Sequence, residues 1–498
     1  MGDIGPVGRR QFLLTRTPVQ APPGFHHQVH ADWHLYTCPG LPTLRATGPA
    51  GRPRVLLGVA TGTAPGAGDP GHQLRTLGPT ELEPAYRSWS GRWVLLDGSE
   101  IHQDALGMLP VLHRRDRVAS APPLVAPGAA PPDLGLRTEH MMPYLPGPQT
   151  GLDGVLRLLP GQVLDLRTGS TRPRALVAPQ EVGEDRAEDV LERLGELLLA
   201  AVRGAAEVGP LVVPLTAGYD SRLALAASVR LGLRPRLVTQ LHPGMSTADR
   251  RSPAVMAQRL GLVHEAVRPG PRDRGKGRLY DEQVGGLIRE TDRTFFERGQ
   301  FDCFSAGDVL LRGVAFDGTR AAMQERLADA PLDAAVFAVA LGATPVQQRA
   351  LAEWVRTVRA DPQGMSVHDR FWLDQKCASY AATTELALDL VGVHSVLPGN
   401  SADYQAAALS LPWTWRRASR HHTELVARWA PQIADIPYNP PLTRVDRWRR
   451  LGGTARRRGR SLAARLRRQD RPGDRHPRSS LVVHPTPRPP SSSSGGAR

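Results

Sequence analysis

Between residues 184 and 267 the hydrophobic pattern switches repeatedly between two periods, and that switching limits the possible folds more than any other feature of the chain. Val190, Leu191, Leu194, Leu197, Leu198 and Val202 recur at helical spacing and predict an amphipathic helix over 184–207. Residues 211–215 then form an apolar run of strand length, 222–231 a helical stretch, 236–240 a strand, 252–260 a helix and 263–267 a strand. Short apolar runs alternating with helical stretches predict parallel strands joined by helical crossovers, hence an α/β fold with a doubly wound parallel sheet. From about 281 to 430 the pattern is largely helical, interrupted by a strand-like run at 309–311. Residues 1–180 read as β-rich: runs at 55–59, 92–96, 118–121 and 162–166 are separated by Gly, Pro and Asp turns. The clearest domain break falls near residue 180.

Charge marks a third region. The formal net charge of +15 suggests nucleic acid, but 444–498 holds sixteen Arg, no Lys and three Asp, so residues 1–443 carry only +2. The expected domains are therefore 1–180, 181–445 and a basic tail, 446–498. In the tail, 444–468 has a thin apolar face (Leu451, Leu462, Leu466) suited to a basic helix, whereas 479–498, rich in Pro, Ser and Gly, is expected to be disordered. Charge blocks are usually solvated, so no specific nucleic acid is expected. Peripheral contact between the Arg tail and an anionic lipid surface or RNA is the alternative. Lys276 and Lys376 are the only lysines.

Cys38, Cys303 and Cys377 are too few for a disulfide framework and form no CxxC pair, which points to a reducing cytoplasm. The longest apolar run, 334–343, is half of the roughly 20 residues that span a bilayer. Near the N-terminus only Phe12-Leu13-Leu14 is apolar, too short for a signal peptide.

The loop after the first parallel strand, Leu215-Thr216-Ala217-Gly218-Tyr219-Asp220-Ser221-Arg222, lies where open α/β sheets bind ligands. Small residues at 216–218 let backbone N–H groups approach an anion, the helix N-terminus adds partial positive charge, and Ser221 adds a hydroxyl. Asp220 would repel a bare phosphate, so a divalent cation between them is implied, and magnesium suits carboxylate plus phosphate oxygens. An ordinary β–α turn with Asp and Ser capping the helix is the plainer reading of the same residues.

Thr216-Ala217-Gly218-Tyr219-Asp220-Ser221 resembles the Ser-Gly-Gly-X-Asp-Ser pyrophosphate loop of the asparagine-synthase-like ATP pyrophosphatases, with Thr for Ser and Ala for the first Gly. Gly313-Val314-Ala315-Phe316-Asp317-Gly318 is similar to that family's second acidic loop, matching at Gly313 and Asp317. Asp249 with the helix and Gly261-Leu262-Val263-His264-Glu265 after it, the stretches 369–380 and 409–412, and the segment 430–439 follow the family's order. His264 itself reads as a packed histidine. The resemblance implies ATP and Mg2+ as cofactors: 216–218 and Ser221 hold the leaving pyrophosphate, Asp220 and Asp317 hold the metal, and Leu215, Thr239, Arg312 and Gly313 contact adenosine, with Tyr219 inside the loop. Asp220 and Ser221 are the candidate catalytic residues.

The N-terminal region resembles the family's glutaminase partner, a sandwich of the N-terminal-nucleophile type, through Gly91–Gly98, Asp104–Gly107, Val118–Ser120 and Leu159–Leu166. Such a glutaminase needs cysteine at residue 2. Here residue 2 is Gly and the first cysteine is Cys38, so a degenerate domain without glutamine hydrolysis is expected. The implied activity is an ATP- and Mg2+-dependent amide ligase that adenylates a carboxylate, releases pyrophosphate and joins the acyl group to an amine carried by a small-molecule or peptide substrate, as in lactam- and macrolactam-forming synthetases. The family's late lysine has no counterpart beyond Lys376, and Arg444 is the nearest substitute in charge. The alternative is a nucleotide-binding pseudoenzyme or scaffold. The oligomeric state is left open.

Overall fold

A computed structural model of the chain describes residues 9–62, 69–130, 142, 144–174, 176–288, 292–321, 342–360 and 364–447. Residues up to Leu442 belong to one compact unit, and a second begins at Thr443. In the second, Thr443 and Asp446 cap one another, the Thr443 N–H and hydroxyl donating to Asp446 Oδ2 at 3.0 and 2.7 Å. The expected features of the basic tail from 448 onward, and Gly2 at the other end, lie outside the described residues.

The first unit is a mixed α/β structure with two antiparallel sheets and one parallel sheet. Its strands are β1 (Phe12–Thr15), β2 (His26–His30), β3 (Trp33–Thr37), β4 (Thr43–Thr47), β5 (Pro53–Thr61), β6 (Ser90–Asp97), β7 (Glu100–Gln103), β8 (Leu112–Arg114), β9 (Arg117–Ala119), β10 (Leu156–Arg157), β11 (Gln162–Asp165) and β12 (Thr171–Pro173) in the first half. They form two six-stranded sheets, ordered β10-β8-β9-β1-β3-β2 and β12-β11-β7-β6-β5-β4. Phe12, Leu14 and Leu35 from one sheet share a core with Val55, Leu57, Val94 and Leu96 from the other.

The second half builds β13 (Leu211–Pro214), β14 (Arg236–Gln240), β15 (His264–Val267), β16 (Val309–Leu311) and β17 (His394–Val396), all parallel and ordered β15-β14-β13-β16-β17. From the central β13 the chain steps outward on one side, then returns to the other. The carboxyl ends of β13 and β16 thus flank the point where strand order reverses, the place where such sheets open a crevice. The Ala187–Val208 helix turns Leu191, Leu194, Leu198 and Val202 onto this sheet, sharing a core with Val213 and Leu311.

Some boundaries move. The helix expected at 222 starts at Tyr219, because Gly218 holds the extended cap conformation (φ −77°, ψ 173°) and Asp220 and Ser221 already lie in the first turn. The helix expected at 252 starts at Thr247, capped by Ser246, whose hydroxyl accepts from the Asp249 N–H at 3.0 Å; Pro253 is carried inside it. β17 interrupts a region expected to be helical. Its sequence, His-Ser-Val, is too short and polar to register as an apolar run, and only pairing with β16 defines it.

No break in the core accompanies the change of pattern near residue 180. Leu56, Trp89 and Trp93 of the first half share one cluster with Leu310, Leu386 and Leu388 of the second. A buried ion pair crosses as well: Arg92 Nη1 and Nη2 donate to Asp389 Oδ1 and Oδ2 at 2.6 and 2.8 Å, and Gln11 Nε2 donates to Asp389 Oδ2 at 2.6 Å. Among the described residues no helix is long and apolar enough to cross a membrane.

Candidate functional site

The loop between β13 and the Tyr219–Arg230 helix is stitched from both sides. The Leu215 N–H donates to the Val238 carbonyl at 2.8 Å, and the Thr239 hydroxyl donates to the Leu215 carbonyl at 2.8 Å. Leu215 and Thr239 are buried. Thr239 therefore stands behind the loop, where His264 Nε2 lies 2.9 Å from its hydroxyl, and His264 is a packed, half-buried side chain whose pKa burial lowers.

The amides expected to cradle an anion already meet oxygens. The Thr216 N–H donates to Ser221 Oγ at 3.2 Å, the Ala217 N–H to Asp249 Oδ1 at 3.1 Å and the Gly218 N–H to Thr216 Oγ1 at 3.1 Å. The loop thus closes on side-chain acceptors of its own fold. Asp249, singled out by sequence only as part of a matching segment, supplies one of these acceptors from the Thr247–Leu260 helix.

A segment that sequence marked only as family-like clamps the loop from below. Buried Arg222 donates to the carbonyls of Ile436 at 2.5 Å and of Ala217 and Pro437 at 3.2 Å. Its guanidinium carbon lies 3.7 Å from the centre of the Tyr438 ring, and Tyr438 stacks on Tyr219 with centroids 4.7 Å apart. The Asn439 N–H donates to the Ala217 carbonyl at 3.2 Å.

The second acidic loop reaches the first because Gly313 has no side chain. A Cβ there would lie 2.8 Å from Asp220 Cβ and 3.0 Å from its backbone carbon. Residues Gly313–Arg320 are wound into 3-10 turns, which puts Asp317 and Arg320 on one side, three residues apart. Arg320 then bridges the two carboxylates, with Nη2 at 2.6 Å from Asp317 Oδ1 and 3.3 Å from Asp220 Oδ2. Arg320 Nε is 3.1 Å and His422 Nε2 3.4 Å from Asp220 Oδ1, yet neither is aligned well enough to satisfy that buried oxygen. Burial raises the pKa of Asp220, against the lowering effect of Arg320. Burial also holds His421 and His422 well below the usual imidazole range, so both rings are neutral at pH 7. Trp372 Nε1 approaches Asp317 Oδ2 at 3.4 Å.

The other expected contacts lie farther out. Arg312 Nη2 pairs with buried Glu385 at 3.3 Å. Lys376 lies over the Tyr380 ring at 4.2 Å, and Lys276 pairs with Asp302 at 2.6 Å. Cys38 is a buried free thiol in the first half. Asp220 and Asp317 share Arg320 as a partner, and the sequence did not single out Arg320, His422 or Tyr438. The spacing of Asp317 and Arg320 was the available signal for the first; nothing in the local pattern marks the other two.

Asp220 and Asp317 offer two carboxylates on adjacent loops, donors of the kind a hard cation such as magnesium would take, and the Arg320 guanidinium occupies the gap between them. Among the described residues no group of three or more His, Cys, Asp or Glu side chains is arranged to hold a metal. No protein-family model matches this chain, and no curated protein matches it.

Proposed function

We propose that the chain is an ATP- and Mg2+-dependent amide ligase of the asparagine-synthase-like type, activating a carboxylate on a small molecule or peptide for attack by an amine on the substrate. In this reading the five-stranded sheet is the doubly wound core of the synthetase, and the two antiparallel sheets are an N-terminal-nucleophile-type sandwich that has lost glutaminase chemistry. The observation that carries it is the meeting of Asp220 and Asp317 across the ends of β13 and β16, at the reversal of strand order, with a cation between them.

Each residue then has a task. The amides of Thr216, Ala217 and Gly218 and the hydroxyl of Ser221 bind and orient the leaving phosphates. Asp220 and Asp317 hold magnesium, which supplies charge stabilisation at the phosphates when bound. Gly313 keeps the two loops in contact, and Thr239 fixes the Leu215 carbonyl behind them. Neutral His422 lies 3.4 Å from Asp220 Oδ1 and walls one side of the carboxylate without bonding it.

The test is exchange of labelled pyrophosphate into ATP with candidate carboxylates, for the natural chain and Asp220→Asn. Exchange that falls at least about a hundredfold in the variant supports the reading, by analogy with loss of one electrostatic contact to a transition state. Exchange unaffected by the substitution refutes it. A second reading, a nucleotide-binding pseudoenzyme or scaffold, is favoured by the internal acceptors on the loop amides. It predicts nucleotide binding without exchange for any carboxylate.

A further inference from the structure

Arg320 touches both acidic side chains at the loops, and the proposed reaction gives it no task. Its position is built rather than accidental. The 3-10 turns of Gly313–Arg320 end at Ala321 in the left-handed region (φ 56°), and the guanidinium lies over the Tyr219 ring, 5.3 Å from its centre. From there it contacts Asp220 through both Nε and Nη2, and Asp317 through Nη2. These are the carboxylate oxygens that a divalent cation would need. Trp372 and His422 flank the same two side chains, leaving Arg320 as the cation between them.

A guanidinium and a metal ion cannot hold these oxygens together. Two carboxylates on neighbouring strand ends repel, and one positive charge between them relieves that repulsion. That charge is the Arg320 guanidinium, whose planar fork contacts both carboxylates. It leaves only if its two carboxylate contacts are replaced by something comparable, and phosphate oxygens are the anions that guanidinium groups accept equally well.

Resting on the nucleotide reading above, we infer that Arg320 is a tethered cation that closes the Asp220–Asp317 pair until a nucleotide arrives. Metal alone meets Arg320 as a competitor and binds weakly. A nucleotide brings oxygens for the metal and, at the same time, a phosphate partner for the displaced guanidinium. Metal and nucleotide binding are therefore coupled through Arg320, each tightening the other by the same factor. The device keeps the acidic pair from collecting free divalent ions.

The experiment titrates Mn2+, followed by its electron paramagnetic resonance signal, into the full chain without nucleotide. The proteins are the natural chain, Arg320→Met, Arg320→Lys and the double variant Arg320→Met/Asp220→Asn, each checked for native circular dichroism. Arg320→Met is expected to bind Mn2+ about tenfold more tightly than the natural chain, within the range of ordinary coupling factors. Arg320→Lys should fall between, since a single ammonium spans two carboxylates less well than a planar fork. The double variant should lose the gain, which assigns it to this carboxylate pair. Folded Arg320→Met that binds Mn2+ no more tightly than the natural chain overturns the inference. A second series adds a non-hydrolysable ATP analogue. If Arg320→Met shows the gain but the analogue leaves Mn2+ binding by the natural chain unchanged, competition by Arg320 stands and the nucleotide reading falls.

Discussion

Replacing Asp389 by alanine removes the acceptor on which two halves of the chain converge. Its carboxylate is buried (side chain 1% exposed) and pairs with an Arg92 side chain that is itself 8% exposed. Burial alone would lower the Arg92 pKa; Asp389, joined by Glu385 and Asp104, more than offsets it, so the pKa lies above the usual arginine value. In the variant Arg92 keeps the Met108 carbonyl, at 2.9 Å, as its hydrogen-bond acceptor with Glu385 and Asp104 nearby in charge, and the Gln11 amide keeps the Arg9 carbonyl at 2.9 Å but loses its 2.6 Å acceptor. Breaking a buried pair from one side costs about 3–5 kcal/mol. A loss of about 3–5 kcal/mol is therefore expected. Removing both charges, as Arg92→Met/Asp389→Leu, takes away the uncompensated ion and should leave a deficit of only about 1–2 kcal/mol. Equilibrium urea unfolding, followed by circular dichroism and tryptophan fluorescence, measures both through the midpoint at constant slope. A loss under about 1.5 kcal/mol for Asp389→Ala would refute the reasoning, as would a double variant equal to the sum of its singles.

Two further outcomes follow from other contacts. Gly313→Ala pushes a Cβ to 2.8 Å from Asp220 Cβ, well inside the roughly 3.5–4.0 Å of ordinary carbon contact. It should cost about 1–3 kcal/mol and weaken binding of an ATP analogue by calorimetry, whereas unchanged affinity would separate the two loops functionally. His113 takes its proton near pH 6.5 when unfolded but only at about 4 in the fold, because burial disfavours the charged ring. The unfolded chain then binds the extra proton between those values, so stability falls as pH drops through this window, by at most about 1.4 kcal/mol per pH unit from this residue. His113→Phe should flatten the decline in melting temperature between pH 6.5 and 4; an unchanged decline would count against it.

β13 and β16 were legible because each is an apolar run too short for a helix, and β14 and β16 coincide with their expected limits. The adjacency of Asp220 and Asp317 was legible through a resemblance of loops, not through periodicity. What escaped depends on contacts made across the fold. β17 exists by pairing with β16, and the π-helical segment Trp372–Ala381 brings Trp372 towards Asp317 with a widened turn that no side-chain spacing announces. Arg320 was hidden for a different reason: residues 313–318 read as an open loop, whereas 3-10 winding stacks positions three apart and so aims an arginine at its own aspartate. Tyr438 lies more than two hundred residues from the ring on which it stacks.

The chain passes from its β-rich half to its parallel sheet through the largely exposed stretch 178–186, while Trp89 and Trp93 remain embedded among side chains from beyond residue 300. A protease that severs that strip would cut the covalent thread and free nothing: the fragments would elute together, as one particle with a gap in its backbone. For the same reason neither fragment, made separately, would have a finished interior, and the two would need to be synthesised side by side to regain a folded shape.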